Sequence, residues 1–553
     1  MGLGIFGIGV TGLNAAQAGI RTTENNISNV NTAGYHRQDT LYSSQTPSFT
    51  GAGWFGNGVA IESVRRQYSQ FLDNEVLRDQ AQLSRHETYA TQASQVDKQM
   101  GDDSSGLSAS LNAFFDATNE VANDPTSTAA RQVMLASGRN LAGRVNNLYT
   151  SLQQKVDDTN KAVASLSTQI NSSARQIATL NQSIARLEAQ NGQPANDLRD
   201  QRDQAIANLN KLVDVTTVQQ DTGELNVFIG NGQILVSGNQ ASQFTAPVVD
   251  VNDAYNLSPA PLLPQLNVSG TLLTLTSSQI TGGELGGWLA VRDEVVKPAL
   301  ADLNRIAVAI GAEVNRVHNS GAYYDSTAAA MAAGGDFFSG VVTQTAGANW
   351  IGINLTGNRL VNDDFTVTYD GISQYTVTSA AGTDTQLAGV EFTIGGVPQG
   401  FSISAGTPAP SAATDAWTLN FENYAHTMSV AVTHAEQIAA ADATTTGPGD
   451  NSNMLALAAL QTTGILDNGG TTFASAYTQL VSNGASHAAE ADLNSKAFAA
   501  LTAQAEDALQ SLSGVNLDEE AVNLIRYQQA YQAAAKAISV ANTLFDEILA
   551  IAR

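Results

Sequence analysis

NLDEEAVNLIRYQQAYQAAAKAISVANTLFDEIL, residues 516–549, combines a strong helix start with a long, narrow seam. Asn516 has a side chain suited to capping a helix, and Glu519 stands three residues on, as in a capping box. Asp518, Glu519 and Glu520 suit the positive end of the helix dipole. From there Leu517, Ala521, Leu524, Gln528, Tyr531, Ala535, Ile538, Asn542, Phe545 and Leu549 alternate in steps of 4 and 3, the period of a coiled-coil stripe. A matching stripe, Leu13, Ala16, Ile20, Thr23, Ile27 and Val30, lies near the other end of the chain. Apolar residues at helical spacing ordinarily mark a core face. Here both segments are too polar and too narrow-faced to fold alone, so each is expected to order on a partner helix. The reading predicts an antiparallel coiled coil of residues 1–35 with 515–553. Leu13, Ala16, Ile20, Ile27 and Val30 would face Leu524, Tyr531, Ala535, Ile538, Phe545 and Leu549 as an assembly interface, with Gln528 and Asn542 helping to set register.

Between these ends the periodicity alternates. FTGAGWFGNGVAIESV, residues 49–64, reads as loops and short strands, and polar helical sequence follows from about Tyr68 to Met100. A long helix is expected from about Arg139 to Gln190, where Val163, Leu166, Ile170, Ile177, Leu180, Ile184 and Leu187 keep one face. Asn191-Gly192 and Pro194 break it, and Asn196 is placed to cap a helix folding back on it. At Val215 the period becomes two, with Asn231-Gly232 as a hairpin turn. Helix returns over residues 282–318, with Pro298 marking a kink or boundary. A second β-rich block spans residues 349–421 around Asp370-Gly371, and helix is expected again from about Met428.

The expected fold class is therefore mainly α with β insertions. Its parts are a terminal coiled-coil domain (1–35 with 515–553), a helical rod domain (36–215 with 281–320 and 428–514), a β-rich domain (216–280) and a second one (335–425).

Composition narrows the function. With 553 residues the chain is long enough for several cores. Lys and Arg number 26 against 51 Asp and Glu, a net charge of -25 that opposes binding to nucleic acid or to an anionic membrane. Residues 1–40 hold only Arg21, Glu24, Arg37 and Asp39, so this end is nearly neutral and suits packing against copies of itself. The absence of cysteine excludes disulfides and thiolate chemistry. No Lys or Arg precedes Arg21, so no Sec-type signal is expected, and no apolar run is long enough for a membrane span.

Candidate chemistry is sparse. Gly7-Ile8-Gly9-Val10-Thr11-Gly12 has the spacing of a dinucleotide fingerprint but lacks the preceding strand, and reads instead as a loose leader to a helix beginning near Leu13. His36, His86, His318, His426, His434 and His487 show no close ligand spacing and read as surface or packing residues. GDDSSGLS at 101–108 has Leu107 where a phosphate loop needs Lys, and Asp518-Glu519-Glu520 reads as a helix-start cluster rather than catalytic carboxylates. No catalytic, metal or cofactor-binding residue is assigned, and no cofactor is expected.

GLNAAQAGIRTTENNISNVNTAGYHRQ at 12–38 and SGVNLDEEAVNLIRYQQAYQAAAKAISVANTLFDEIL at 513–549 resemble the terminal motifs of the bacterial flagellar axial proteins, the family of rod, hook and hook-associated subunits. GAGWFGNGV at 51–59, NDLRDQRDQ at 196–204, GGELGGWLAVRDE at 282–294 and GGDFF at 334–338 are similar to its hook-associated branch. The resemblance implies a structural protein of the junction that joins hook to filament, needed for filament assembly and motility. It implies export by the flagellar type III pathway without a cleaved signal peptide, to the extracellular flagellum. The implied partners are further copies of the chain in a helical or ring-like layer, the hook protein, a second hook-associated junction protein and an export chaperone. Other readings are a different axial subunit, such as a hook or second junction protein, or a type III secreted adhesin.

Overall fold

The longest element is a single helix of 64 residues, which at 1.5 Å per residue is about 95 Å long. In the computed structural model, all residues are described except 1, 52, 102–105, 221–222, 252, 254, 256, 258, 347–350, 357–359, 406–414, 446 and 552–553. The helices in chain order are α1 (Gly2–Ser28), α2 (Gln70–Met100), α3 (Leu107–Asn123), α4 (Thr128–Asn191), α5 (Asn196–Leu212), α6 (Gly283–Val291), α7 (Lys297–Ser320), α8 (Tyr424–Thr427), α9 (Ser452–Ala459), α10 (Phe473–Ser513) and α11 (Leu517–Ile551). The architecture is mainly α with β insertions.

The long helix, α4, starts well before Arg139 because Ser127 caps it, accepting from Ala130 N at 3.2 Å, and the apolar face continues upstream through Met134 and Leu135. It ends on Gly192, whose φ of 63° is left-handed and closes the last turn. This helix runs through two separate cores. Its first half packs with α3, α7 and parts of α2 and α10 through Met134, Leu141, Val145, Leu148 and Leu152. Its second half, Val163 to Ala178, packs with α5, α6 and the first β-rich block. The helices α6 and α7 repeat this division. They join through a π-helical turn, Arg292–Val296, directly before Pro298, so the kink expected at the proline is an insertion in a continuous helix.

The first β block contains an antiparallel sheet of Val215–Gln219, Leu225–Ile229, Gln233–Ser237 and Gln240–Ala241, with the predicted Gly232 turn at φ 106°. The second sets a five-stranded sheet, in the order 342–346, 416–420, 364–369, 374–379, 382–387, against a three-stranded one. Phe365 and Phe401 meet between the sheets with ring centroids 5.0 Å apart, and Trp417 is fully buried. At the turn after Tyr369, Asp370 accepts from the amides of Ile372, Ser373 and Gln374.

Four expectations need correction. Gly7, Gly9 and Gly12 are not a loose leader: α1 already starts at Gly2 and includes them. Val30 lies in the turn after α1, outside the helix. The described residues from Met428 to Asn451 hold a 3-10 turn, a two-residue strand and an isolated bridge at Val430 rather than a helix, and helix resumes at Ser452. Asn196 does not cap α5; it is its first residue, and its side chain donates instead to Val64 O at 2.8 Å. Residues 102–105 of the rejected phosphate-loop stretch lie outside the described residues.

His318, at the end of α7, is fully buried; Nδ1 donates to Gly335 O at 2.5 Å and Nε2 accepts from Ala439 N at 2.9 Å. Burial holds this imidazole down at about 4 from an ordinary 6.5. A depressed histidine contributes stability above its unfolded value and loses it as pH falls through the folded one, for a total of about 3 kcal/mol. Chemical denaturation at pH 7 and pH 5 is therefore expected to show a loss of about 2 kcal/mol from this residue. His318→Gln should flatten the pH dependence by that amount.

Candidate assembly site

The two ends of the chain form one antiparallel helix pair. Along α1 the residues turned inward are Gly9, Gly12, Ala16, Gly19, Thr23 and Asn26, in steps of 3 and 4. A Cβ at Gly9 would stand 2.7 Å from Ile538 Cγ1, at Gly12 3.6 Å from Ala534 Cβ, and at Gly19 2.6 Å from the Tyr527 ring. Asn26 donates to Glu520 Oε2 at 3.2 Å. Partners thus advance toward the start of α11 as α1 advances toward its end. The helices meet where α1 has little or no side chain, which explains glycine within a helix despite its conformational cost.

Of the residues expected at the interface, Ala16 is buried, and Leu13, Ile20, Ile27, Leu524, Ala535 and Ile538 are half-buried along the pair. Tyr531 and Phe545 are exposed, Val30 is half-buried in the turn, and the Leu549 side chain lies outside the described residues. The small-residue stripe was readable in the sequence as a 3,4 spacing of Gly, Ala and Thr, but it becomes a contact only once a partner helix is placed on it.

Four strands follow α1: β1 (Gln38–Ser44), β2 (Ser48–Thr50), β3 (Gly53–Phe55) and β4 (Val59–Arg66). β1 pairs with β4, and β1 is fastened to α1 by Tyr42 Oη donating to Ala15 O and by Asn26, which bonds both backbone polar groups of Gln38.

From this seat a polar clasp spreads over three distant stretches. The Arg37 guanidinium holds Glu520 at 2.8 Å and Glu519 at 2.7 Å, while Arg37 N donates to Ser513 O. His36 Nδ1 lies 2.7 Å from Asp200 Oδ1 on α5. Arg66, at the end of β4, donates to Asp200 at 2.6 Å and to Asp203 at 2.8 Å, and Gln38 Nε2 donates to Asp197 at 2.8 Å. The clasp joins YHRQ at 35–38, NDLRDQRDQ at 196–204 and the acids of α11. The helix-start acids are thus also ion-pair partners of Arg37, which local spacing does not reveal.

Burial sets the weight of each contact. Glu519 is exposed, so its pair is worth little, whereas the Glu520 side chain is 2% exposed and must be satisfied. Burial by itself would lower the Arg66 guanidinium, but Asp203 and Asp200 outweigh it and raise it. Burial also raises the Tyr35 phenol, with Asp197, Asp200 and Glu520 adding to the effect. His36 with Asp200 has the form of the orienting half of a catalytic dyad. Its ring, however, lies edge-on against Tyr68 at 5.7 Å and the side chain is only 9% exposed, so little of the imidazole is open to a reactant. Among the described residues no group of three or more His, Asp or Glu is placed to hold a metal ion. The arrangement is suited to fixing one element against another.

Residues 93–338 match the family model of the flagellar hook-associated protein FlgK helical domain, and residues 509–551 that of the flagellar basal body rod FlgEFG protein C-terminal region. Flagellar hook-associated protein 1 of Salmonella typhimurium is 33% identical over 558 residues, covering 98% of each chain. Its counterpart in Escherichia coli K12 is 32% identical over 563 residues, again 98% of each. That of Bacillus subtilis is 24% identical, covering 97% of this chain and 96% of the relative. The hook junction protein FlgK from Burkholderia pseudomallei shares the fold, with a TM-score of 0.61 at 24% identity, over 80% of this chain and all of that one.

Gly19→Val should force the terminal helices apart and speed limited proteolysis of α1. Gly7→Ala, at a helical position with nothing within 4 Å, should instead stabilise α1 by about 0.5–1 kcal/mol. Arg66→Ala would take the guanidinium from Asp203 and leave Asp200 only its contacts with His36, and is expected to destabilise the clasp by about 2–4 kcal/mol, measured by hydrogen exchange across residues 35–40 and 196–204.

Proposed function

The chain belongs to the flagellar hook-associated protein 1 family, and from that premise we propose how it is built into the organelle. It is a structural component of the bacterial flagellum at the hook-filament junction, where it serves filament assembly and motility. The observation that carries this reading is the similarity to hook-associated protein 1 over 98% of both chains, which includes the two terminal stretches that meet in the antiparallel pair.

In our reading, residues 1–35 with 515–553 form the innermost layer of a tube. Residues 36–215, 281–320 and 428–514 form a helical layer around it, and the β-rich regions 216–280 and 335–425 face outward. Copies join through heterologous contacts, which repeat without closing into dimers and so generate a helical or ring-like layer. Exposed seam residues such as Tyr531 and Phe545 are available for those lateral contacts. One face of the layer meets the hook protein and the other a second junction protein. The clasp supports this role mechanically: with Arg37 bonded to α11 and the adjacent His36, together with Arg66, bonded to α5, a load on the terminal pair passes directly into the helical layer.

The chain reaches this place by flagellar type III export without a cleaved signal peptide, assisted by an export chaperone. Near-absence of charge in residues 1–40 and the lack of cysteine are compatible with such a route.

Deletion of the gene should leave hooks without filaments, with filament subunits lost to the medium, and the full chain should restore swimming. A truncate lacking Leu517 to Arg553 should remain soluble with its middle folded, yet fail to attach filaments in electron micrographs. Normal filament attachment by that truncate would overturn the role given to the terminal pair.

A further inference from the structure

Close beside the terminal pair, β2 and β3 form a short antiparallel ladder with Phe49 opposite Trp54 and Ser48 opposite Phe55. Phe49 and Trp54 contact each other edge to face at 5.3 Å, yet they are 67% and 71% exposed, and Phe55 is 54% exposed. Three large aromatic side chains on one small ladder gain little by facing water, since most of their transfer free energy is unrealised. The ladder is held in a defined place: Val59 N donates to Thr11 Oγ1, a Cβ at Gly58 would run into the Thr11 side chain, and Ser48 Oγ donates to Asn57, which itself bonds Thr46 O. It therefore projects from the N-terminal part of α1 as a fixed knob.

A second unburied apolar surface lies on α11. Val522, Ile525, Val540 and Leu544 are all exposed, on the side away from the residues that meet α1. Both surfaces are poor in charge. No charged residue occurs from Gly2 to Ile20 or from Thr40 to Ile61, and only Arg526 and Lys536 occur from Ala521 to Phe545. In a chain of net charge -25, these two surfaces can meet without like-charge repulsion.

We propose that Phe49 and Trp54, which share one face of the ladder, dock on the exposed α11 stripe of a second copy of this chain. Each copy carries both the knob and the strip, so the contact is heterologous and repeats from copy to copy. The inference rests on the self-association proposed above and adds which residues make the lateral contact. Continuity with the terminal pair favours a second copy over an unrelated partner.

The test uses flagella isolated from cells that make the full chain with a photoreactive phenylalanine analogue at position 54, as a mixture of isotopically light and heavy copies. The expected result is a covalent dimer whose mixed-isotope cross-link maps to residues 517–551 of the other copy. A cross-link within one copy, to a different flagellar subunit, or none at all from junctions that do assemble would overturn the knob while leaving self-association standing. The absence of any multi-copy junction would overturn both. In parallel, Phe49→Thr with Trp54→Thr should leave the thermal melt of the isolated chain unchanged, because the side chains are exposed. It should weaken attachment of filaments by about tenfold or more, the scale for losing an aromatic anchor. Unchanged attachment by this variant would also overturn the proposal.

Discussion

Glu520 is an acid at the start of a helix with almost no access to water, and much of the architecture follows from the need to satisfy it. Its carboxylate takes Arg37 on one oxygen and Asn26 on the other. Asn26 is engaged by the backbone of Gln38, and Arg37 sits next to His36, which is bonded to Asp200. One buried charge thus fixes the end of α1, the start of α11, the first strand and α5 relative to one another. A buried ion pair is a poor source of net stability but a strong source of specificity, because any other arrangement leaves a charge without a partner.

The stability of the body comes from elsewhere. Its two hydrophobic cores are threaded by α4, whose first half belongs to one and second half to the other. The helix that crosses back, α6 into α7, makes the same passage through a π turn, where Arg292 is fully buried and donates to Leu262 O at 2.6 Å. Two helices shared between two cores make a stiff strut. The terminal pair, by contrast, keeps many apolar residues in water on α11, as expected of a segment whose remaining partners are other molecules.

Much of this was legible in local sequence. The period of α4, the break at Asn191-Gly192, the turns at Gly232 and Asp370, and the start of α11 each depend on residues within a turn or two of one another, and each stands in the structure where expected. The misreadings share a cause. Asn196 has the chemistry of a cap, but Val64 O lies within reach and takes its side chain. Gly7, Gly9 and Gly12 have the chemistry of flexibility, yet lie in a helix against which α11 packs at Gly9 and Gly12.

The sequence by itself determined most of the helices and strands, that the N-terminal end is nearly neutral, and that each end carries a stripe in need of a partner. These are properties of spacing and composition, and they survive without knowledge of any contact. Only the tertiary structure decided that small residues rather than large ones line the tight face of α1. It also decided that Glu519 and Glu520 pair with Arg37, and that Asp200 and Asp203 meet His36 and Arg66. Those choices depend on which groups are brought together across hundreds of residues and sealed from water. Whether an acid is a solvated helix-start charge or a buried anchor depends on its surroundings, not on its neighbours in the chain.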